Sequence, residues 1–188
     1  EGIVSNWEQK EMNILPREQC LVGIGTNEFA PKNNVTLAKF VTIIARMAGL
    51  TANPGCAACF YDVPVDAWYC GTLGAAVTAG LVYGVDENSF APHEPVTREQ
   101  IATMMVRLMA KDGPDITISA ADTARLLAGF SDGASVSSWA CAPVAQMAKE
   151  KVMTGRENGQ FVPLGHTTRA EAAVALCRMA QKTLLLEQ

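Results

Sequence analysis

A chain that repeats itself three times in register is tightly constrained, because each copy must take much the same local structure and the copies must bury one another. Trp7, Trp68 and Trp139 supply the ruler here, set 61 and 71 residues apart in a chain of 188. Counting 16 residues on from each reaches Gly23, Gly84 and Gly155, 22 reaches Phe29, Phe90 and Phe161, and 24 reaches Pro31, Pro92 and Pro163. At 29 stand Thr36, Thr97 and Thr168, and at 39 stand Arg46, Arg107 and Arg178, with no slip. All length variation falls between the units, in Ala48 to Val65 and in Ala110 to Ser138, where connections tolerate it.

Within a unit the pattern reads helix, turn, helix. In repeat 2, Asp66 is placed to cap a first helix running to Leu81, with Leu73, Ala76, Val77 and Leu81 on one face at three-and-four spacing. Gly80 and Gly84 end it, and Phe90-Ala91-Pro92 reads as an apolar plug in an extended connection. Thr97-Arg98-Glu99-Gln100 then opens a second helix with a capping box, and Thr168-Arg169-Ala170-Glu171 repeats it. The second helices carry the most apolar faces: Phe40, Ile43, Ile44 and Met47; Ile101, Met104, Met105 and Leu108; Ala172, Ala175, Leu176 and Met179. Such faces must meet, so the three second helices are expected to pack about a common axis with the first helices splayed outside as lobes. Before repeat 3, Ser119 with Asp122 caps an extra short helix carrying Leu126 and Leu127.

Composition narrows the function. The chain is 49% hydrophobic and 18% charged with a net charge of −4, which argues against a disordered tail or a polybasic nucleic-acid binder. Its longest apolar stretches, such as Phe40 to Leu50, which is broken by Thr42, Arg46 and Gly49, are too short to span a bilayer. Glu1 to Asn6 show no signal-peptide pattern, so any secretion signal is expected to lie outside this sequence.

The run Phe130-Ser131-Asp132, Trp139, Val152-Met153-Thr154-Gly155, Gly159-Gln160-Phe161, Pro163 and Thr168-Arg169-Ala170-Glu171-Ala172-Ala173 strongly resembles the S-layer homology (SLH) domain. Repeat 2 resembles it as well, through Phe60-Tyr61-Asp62, Trp68, Ala79-Gly80-Leu81-Val82-Tyr83-Gly84, Phe90, Pro92 and Thr97-Arg98-Glu99-Gln100. The resemblance implies a mainly α fold, a pseudo-threefold trimer of helix-loop-helix repeats around a central three-helix bundle with three splayed lobes. The repeats would span 1–52, 60–112 and 130–183, with 113–129 as a connecting insert. It also implies noncovalent anchoring of a bacterial surface protein to secondary cell-wall polysaccharide, outside the cell at the wall or S-layer. A sugar bearing a pyruvate ketal would be recognised in grooves between the lobes. Repeat 1 departs from the pattern: Leu37-Ala38-Lys39 follows its Thr, Pro16 interrupts its first helix, and its opening Phe-x-Asp would precede Glu1.

A pyruvate ketal presents one carboxylate on a rigid ring, which a guanidinium takes bidentately, so Arg98 and Arg169 are the candidate ligand residues. Each opens a helix, where exposed N–H groups would add to the attraction. The competing reading of these arginines is a bridge to Asp62 or Asp132. Trp68 and Trp139 are candidate walls for sugar C–H faces or, more simply, packing anchors at helix starts. Gly84 and Gly155 read as chain reversals at positive φ that also admit close approach of a sugar. Arg46, Arg107 and Arg178 are expected to be structural.

No catalytic constellation is apparent: His93 and His166 sit in turns without a nucleophile pattern, and Asp86-Glu87-Asn88 is a solvated turn rather than a calcium loop. No metal or cofactor is expected. Of Cys20, Cys56, Cys59, Cys70, Cys141 and Cys177, the pair Cys56/Cys59 lacks the partners of a zinc site, and Cys70 or Cys141 could reach a connection residue such as Cys59. Cys177 and Cys20 read as small buried hydrophobes. The alternative to glycan anchoring is a structural module that packs against other surface-layer subunits.

Overall fold

The structure, a computed structural model, describes residues 30–53, 60–111 and 117–186. The readings that rest on Trp7, Pro16, Cys20, Gly23, Phe29, Cys56 and Cys59 lie outside the described residues. The fold is mainly helical: α1 Leu37–Met47, α2 Cys70–Thr78, α3 Arg98–Lys111, α4 Ala120–Leu127, α5 Cys141–Lys149 and α6 Arg169–Leu186. Here α1, α3 and α6 are the second helices of the three repeats, α2 and α5 are first helices, and α4 belongs to the insert. The β structure among the described residues is three isolated bridges.

Those bridges join the three repeats at two neighbouring ruler marks, pairing Asn34 with Thr168, Thr36 with Pro95, and Thr97 with His166. Between them runs a closed cycle of backbone hydrogen bonds. The N–H of Val35 donates to the Thr167 carbonyl at 3.0 Å, that of Thr167 to Val96 at 3.0 Å, and that of Val96 back to Val35 at 2.9 Å. The same hand-over continues into the helices. Leu37 and Ala38 donate to Glu94 and Pro92 of repeat 2, Arg98 and Glu99 to Gly165 and Pro163 of repeat 3, and Arg169 and Ala170 to Asn33 and Pro31 of repeat 1. The first N–H groups of a helix have no partner within it, and here each second helix finds them on the next loop round. All three ring residues are buried, so these bonds form away from water.

The capping boxes form as read. Thr97 and Gln100 exchange their bonds at 2.9 and 3.4 Å, and Thr168 and Glu171 at 2.9 and 3.2 Å. Ser119 caps α4, accepting from the Asp122 N–H at 3.0 Å, and Leu127 is buried. Phe40, Ile44, Ile101, Met105, Ala172, Leu176 and Met179 share one apolar core, and Phe90 and Phe161 are buried plugs. Packing, however, pairs helices across repeats: α1 lies against α2, and α3 against α5. The Thr42 and Thr72 hydroxyls meet at 3.1 Å across the first of these pairs. Each such lobe is therefore made of one repeat's second helix and the following repeat's first.

Two local readings are corrected. Asp66 caps nothing: the chain from Pro64 to Tyr69 is a run of turns, and α2 starts at Cys70 behind an uncapped Tyr69. A carboxyl side chain four residues before the helix cannot reach its orphan N–H groups when successive turns intervene. Nor do Gly84 and Gly155 take positive φ. That conformation falls on Gly49, Gly80 and Gly159, and on Ala30, Ala91 and Val162, which occupy one ruler mark in all three repeats. Left-handed backbone costs an L-residue about 1–2 kcal/mol. It is held at Ala91 and Val162 by a carboxylate: Asp62 accepts from the Phe90 and Ala91 N–H groups at 2.9 and 2.7 Å, and Asp132 from Phe161 and Val162, both at 2.7 Å.

Asp132→Ala therefore removes two charge-assisted bonds and should lower unfolding stability by roughly 3 kcal/mol in urea titration. Lys151, at φ 57° where repeat 2 has Gly80, closes α5 in the left-handed region. Lys151→Gly should raise stability by about 1 kcal/mol in the same assay.

Candidate functional site: a cationic groove between repeats

A groove of about 650 Å³ opens where the three repeats meet. One wall is the end of repeat 3's first unit, Val152 to Glu157, and the other is α6 from Glu171 to Arg178. Arg98 and Ile101 of repeat 2 and Pro31 and Lys32 of repeat 1 complete the lining, with Thr167 and Thr168. Lys32, Arg98, Arg156 and Arg178 face two carboxylates there, Glu157 and Glu171, so the groove is locally cationic on a chain of net charge −4.

Arg98 is only 6% exposed. Its Nε donates to the Phe161 carbonyl at 2.7 Å and its Nη2 to the Thr154 carbonyl at 2.8 Å, while the guanidinium lies 4.8 Å from the Phe161 ring centre. Nη1 approaches Glu171 at 3.7 Å. Burial pulls its pKa below the ordinary arginine value, and Glu171 pulls the other way. The side chain thus ties repeat 2's helix start to repeat 3's lobe while still lining the groove. Asp132 and Asp62 are engaged by backbone N–H groups of their own loops, and no ion pair joins either to Arg98. The helix N–H groups that a ligand carboxylate was expected to meet at Arg98 and Glu99 are taken by the Gly165 and Pro163 carbonyls. Attraction in the groove comes from side chains instead.

Arg169 is buried at the equivalent position against repeat 1's loop, and burial lowers its pKa. The lobe it serves lies mostly outside the described residues. Gly155 lines the groove, but close packing is what requires it: a Cβ there would stand 3.0 Å from the Phe130 ring. Gly84 is in the same position, with Phe60 at 2.7 Å. Trp68 and Trp139 are 63% and 54% exposed and line no part of this groove. Trp68 also packs edge-on against the buried Tyr69 ring, with the ring centres 5.3 Å apart. Arg107 stacks on the Tyr83 ring at 4.4 Å, whereas Arg178 lines the groove. His93 and His166 are exposed, as read.

Two groups escaped the sequence reading. Glu99, 2% exposed, accepts from the N–H and hydroxyl of Ser137 at 3.0 and 2.8 Å, and so fastens the start of repeat 3's first helical segment to α3. Repeat 1 and repeat 3 have Ala38 and Ala170 there, so only the break in the triplicate pattern marked it. Arg156 is the other. Its side chain is 45% exposed at the groove rim, with Nη2 3.3 Å from Glu171; it was passed over because repeat 2 has Val85 at that mark. Among the described residues no cluster of His, Cys, Asp and Glu could hold a metal, and no described helix is long and apolar enough to cross a membrane. Cys70 and Cys177 are buried, and the half-buried Cys141 thiol donates weakly to the Ser137 carbonyl at 3.5 Å.

Residues 60–102 and 129–173 match the S-layer homology domain, so repeats 2 and 3 belong to that family. It is 30% identical, over 96% of its length, to part of an amylopullulanase of Thermoanaerobacterium thermosulfurigenes, of which it covers 9%. It is 28% identical over 96% to part of exoglucanase XynX of Acetivibrio thermocellus, covering 16%, and 26% identical over 93% to part of the surface-layer 125 kDa protein of Lysinibacillus sphaericus, covering 14%. The chain thus corresponds to less than a fifth of each of these relatives. The general role of such a domain is anchoring at the cell wall or surface layer.

The geometry separates wall-holding from surface residues. Arg98→Met should cost roughly 3 kcal/mol by stranding two carbonyls and a buried contact, against under about 1 kcal/mol for Arg156→Met, both read from thermal melts. Gly155→Ala should cost about 1–3 kcal/mol through overpacking on Phe130.

Proposed function

We propose that this module holds a larger surface protein on the bacterial cell wall by binding secondary cell-wall polysaccharide through a pyruvate ketal, with the ligand seated in the groove lined by Arg98. The observation that carries this reading is the cluster of cations around a 650 Å³ opening on an otherwise acidic chain. A cleft with walls of low dielectric and an excess of one sign of charge concentrates ligands of the other sign. A ketal carboxylate is one such ligand, and it is fixed on its ring, so it forfeits little freedom on binding. Arg169 would serve the groove over repeat 1 in the same manner. Trp68 and Trp139, exposed on their lobes, are the flat surfaces along which further sugars of the polymer would lie.

The named relatives are an amylopullulanase, an exoglucanase and a surface-layer protein. That is the expected distribution for an anchor indifferent to its cargo, and it places this chain outside the cell at the wall or S-layer. Cosedimentation of the chain with purified sacculi, before and after mild acid removal of ketal-linked pyruvate, tests the reading. Binding should disappear with the pyruvate and weaken with added salt. Binding that survives depyruvylation would assign recognition to another part of the polymer. No binding to pyruvylated sacculi, with self-association instead, would move the function to protein assembly.

A further inference from the structure

The ring sets matching ruler marks around each lobe, so the surface over repeat 2 can be compared with the groove over repeat 3 residue by residue. Where the latter has Arg98, Thr154, Arg156 and Glu171, the former has Leu37, Tyr83, Val85 and Gln100. Lys32 of the neighbouring loop is matched by Leu164. Three cations have given way to Leu37, Val85 and Leu164, and Tyr83, Val85 and Leu164 stand more than half exposed. The remaining cation, Arg107, is spent on the Tyr83 ring at 4.4 Å.

The central ring differs too. Its three inward marks carry Val35, Val96 and Thr167, and the single hydroxyl belongs to the residue that lines the cationic groove. Thr167 is 1% exposed, and its Oγ1 has no hydrogen-bond partner among the described residues. A buried unpaired hydroxyl destabilises by about 1–3 kcal/mol, and valine, the residue at both other marks, would remove that burden. A hydroxyl kept against this cost beside a groove is explained by a ligand that pairs with it.

Resting on the anchoring reading, we propose that the groove over repeat 3 is selective for the acidic form of the ligand and its counterpart over repeat 2 is not. Arg156 supplies the guanidinium that meets the carboxylate, and the Thr167 hydroxyl pairs with a ligand oxygen at the groove floor. Arg98, with Nε and Nη2 already committed to carbonyls, positions the wall. Arg156 reaches Glu171 through Nη2, and a guanidinium has five N–H donors, so a fork remains for a carboxylate. Glu171 holds the side chain over the groove meanwhile.

The test is calorimetric titration of the whole chain with a hexoside carrying a pyruvate ketal, as the free acid and as its methyl ester. The wild-type chain should prefer the acid by about tenfold or more, the weight of one charge-assisted pair. Arg156→Met should abolish that preference, and Arg156→Lys should keep part of it. Val85→Gln, the same mark over repeat 2, should change neither affinity. Thr167→Val should weaken acid and ester alike while melting at or above the wild-type temperature. An undiminished preference for the acid in Arg156→Met, a loss of it in Val85→Gln, or unchanged affinity in Thr167→Val overturns the assignment and leaves the anchoring reading standing. A wild-type chain that binds neither probe overturns both.

Discussion

Everything in this molecule hangs on a cycle of three backbone hydrogen bonds. Val35, Val96 and Thr167 each donate to one neighbour and accept from the other, and no member can be withdrawn without leaving a donor and an acceptor buried and unpaired. The cycle sets the three second helices about one axis because each helix spends its first free N–H groups on the adjacent loop. What a capping residue does within one helix, the neighbouring repeat does here between helices. The packing follows the same circulation: α1 leans on the next repeat's α2, and α3 on the next repeat's α5.

The left-handed residues at Ala91 and Val162 belong to this plan. Each bends its loop so that the following Pro92 or Pro163 carbonyl faces an incoming helix, and an aspartate from the start of the lobe holds the bend by its two N–H groups. Strain at one residue is offset by charge-assisted bonds and by a buried phenylalanine beside it. Arg98 adds a second tie between the same parts, through the Phe161 and Thr154 carbonyls. Its charge is therefore useful twice, in fastening a lobe and in setting the potential of the groove beside it.

Much of the fold was legible in the sequence because repetition multiplies weak signals. One capping box is suggestive, whereas Thr97/Gln100 and Thr168/Glu171 at the same mark fixed two helix starts. Phe90 and Phe161 declared themselves as core by recurring. What repetition could not reveal was connectivity in space: an amphipathic helix says which face is buried but not whose helix covers it, so the cross-repeat pairing was missed. Asp66 was misread because a cap signal does not count the turns that intervene before the helix. The site was legible in its chemistry and less so in its division of labour. Arg98 stood out by its motif, yet burial makes it largely a structural tie. Glu99 and Arg156 were overlooked because they differ among the copies. In a triplicated chain, the shared residues build the frame and the unshared ones individualise the grooves.

The cyclic hand-over also bears on how many copies such a chain can hold. Stacked repeats of the solenoid kind leave an unsatisfied surface at each end and lengthen by adding units. Here the last repeat's helix start donates to the first repeat's loop at Asn33 and Pro31, so the series ends where it began. A fourth unit would find no donor waiting and no acceptor vacant. It could join only by breaking the circle or by starting another. The architecture therefore counts to three by geometry, and evolution can vary such a module by editing individual copies but not by extending the row.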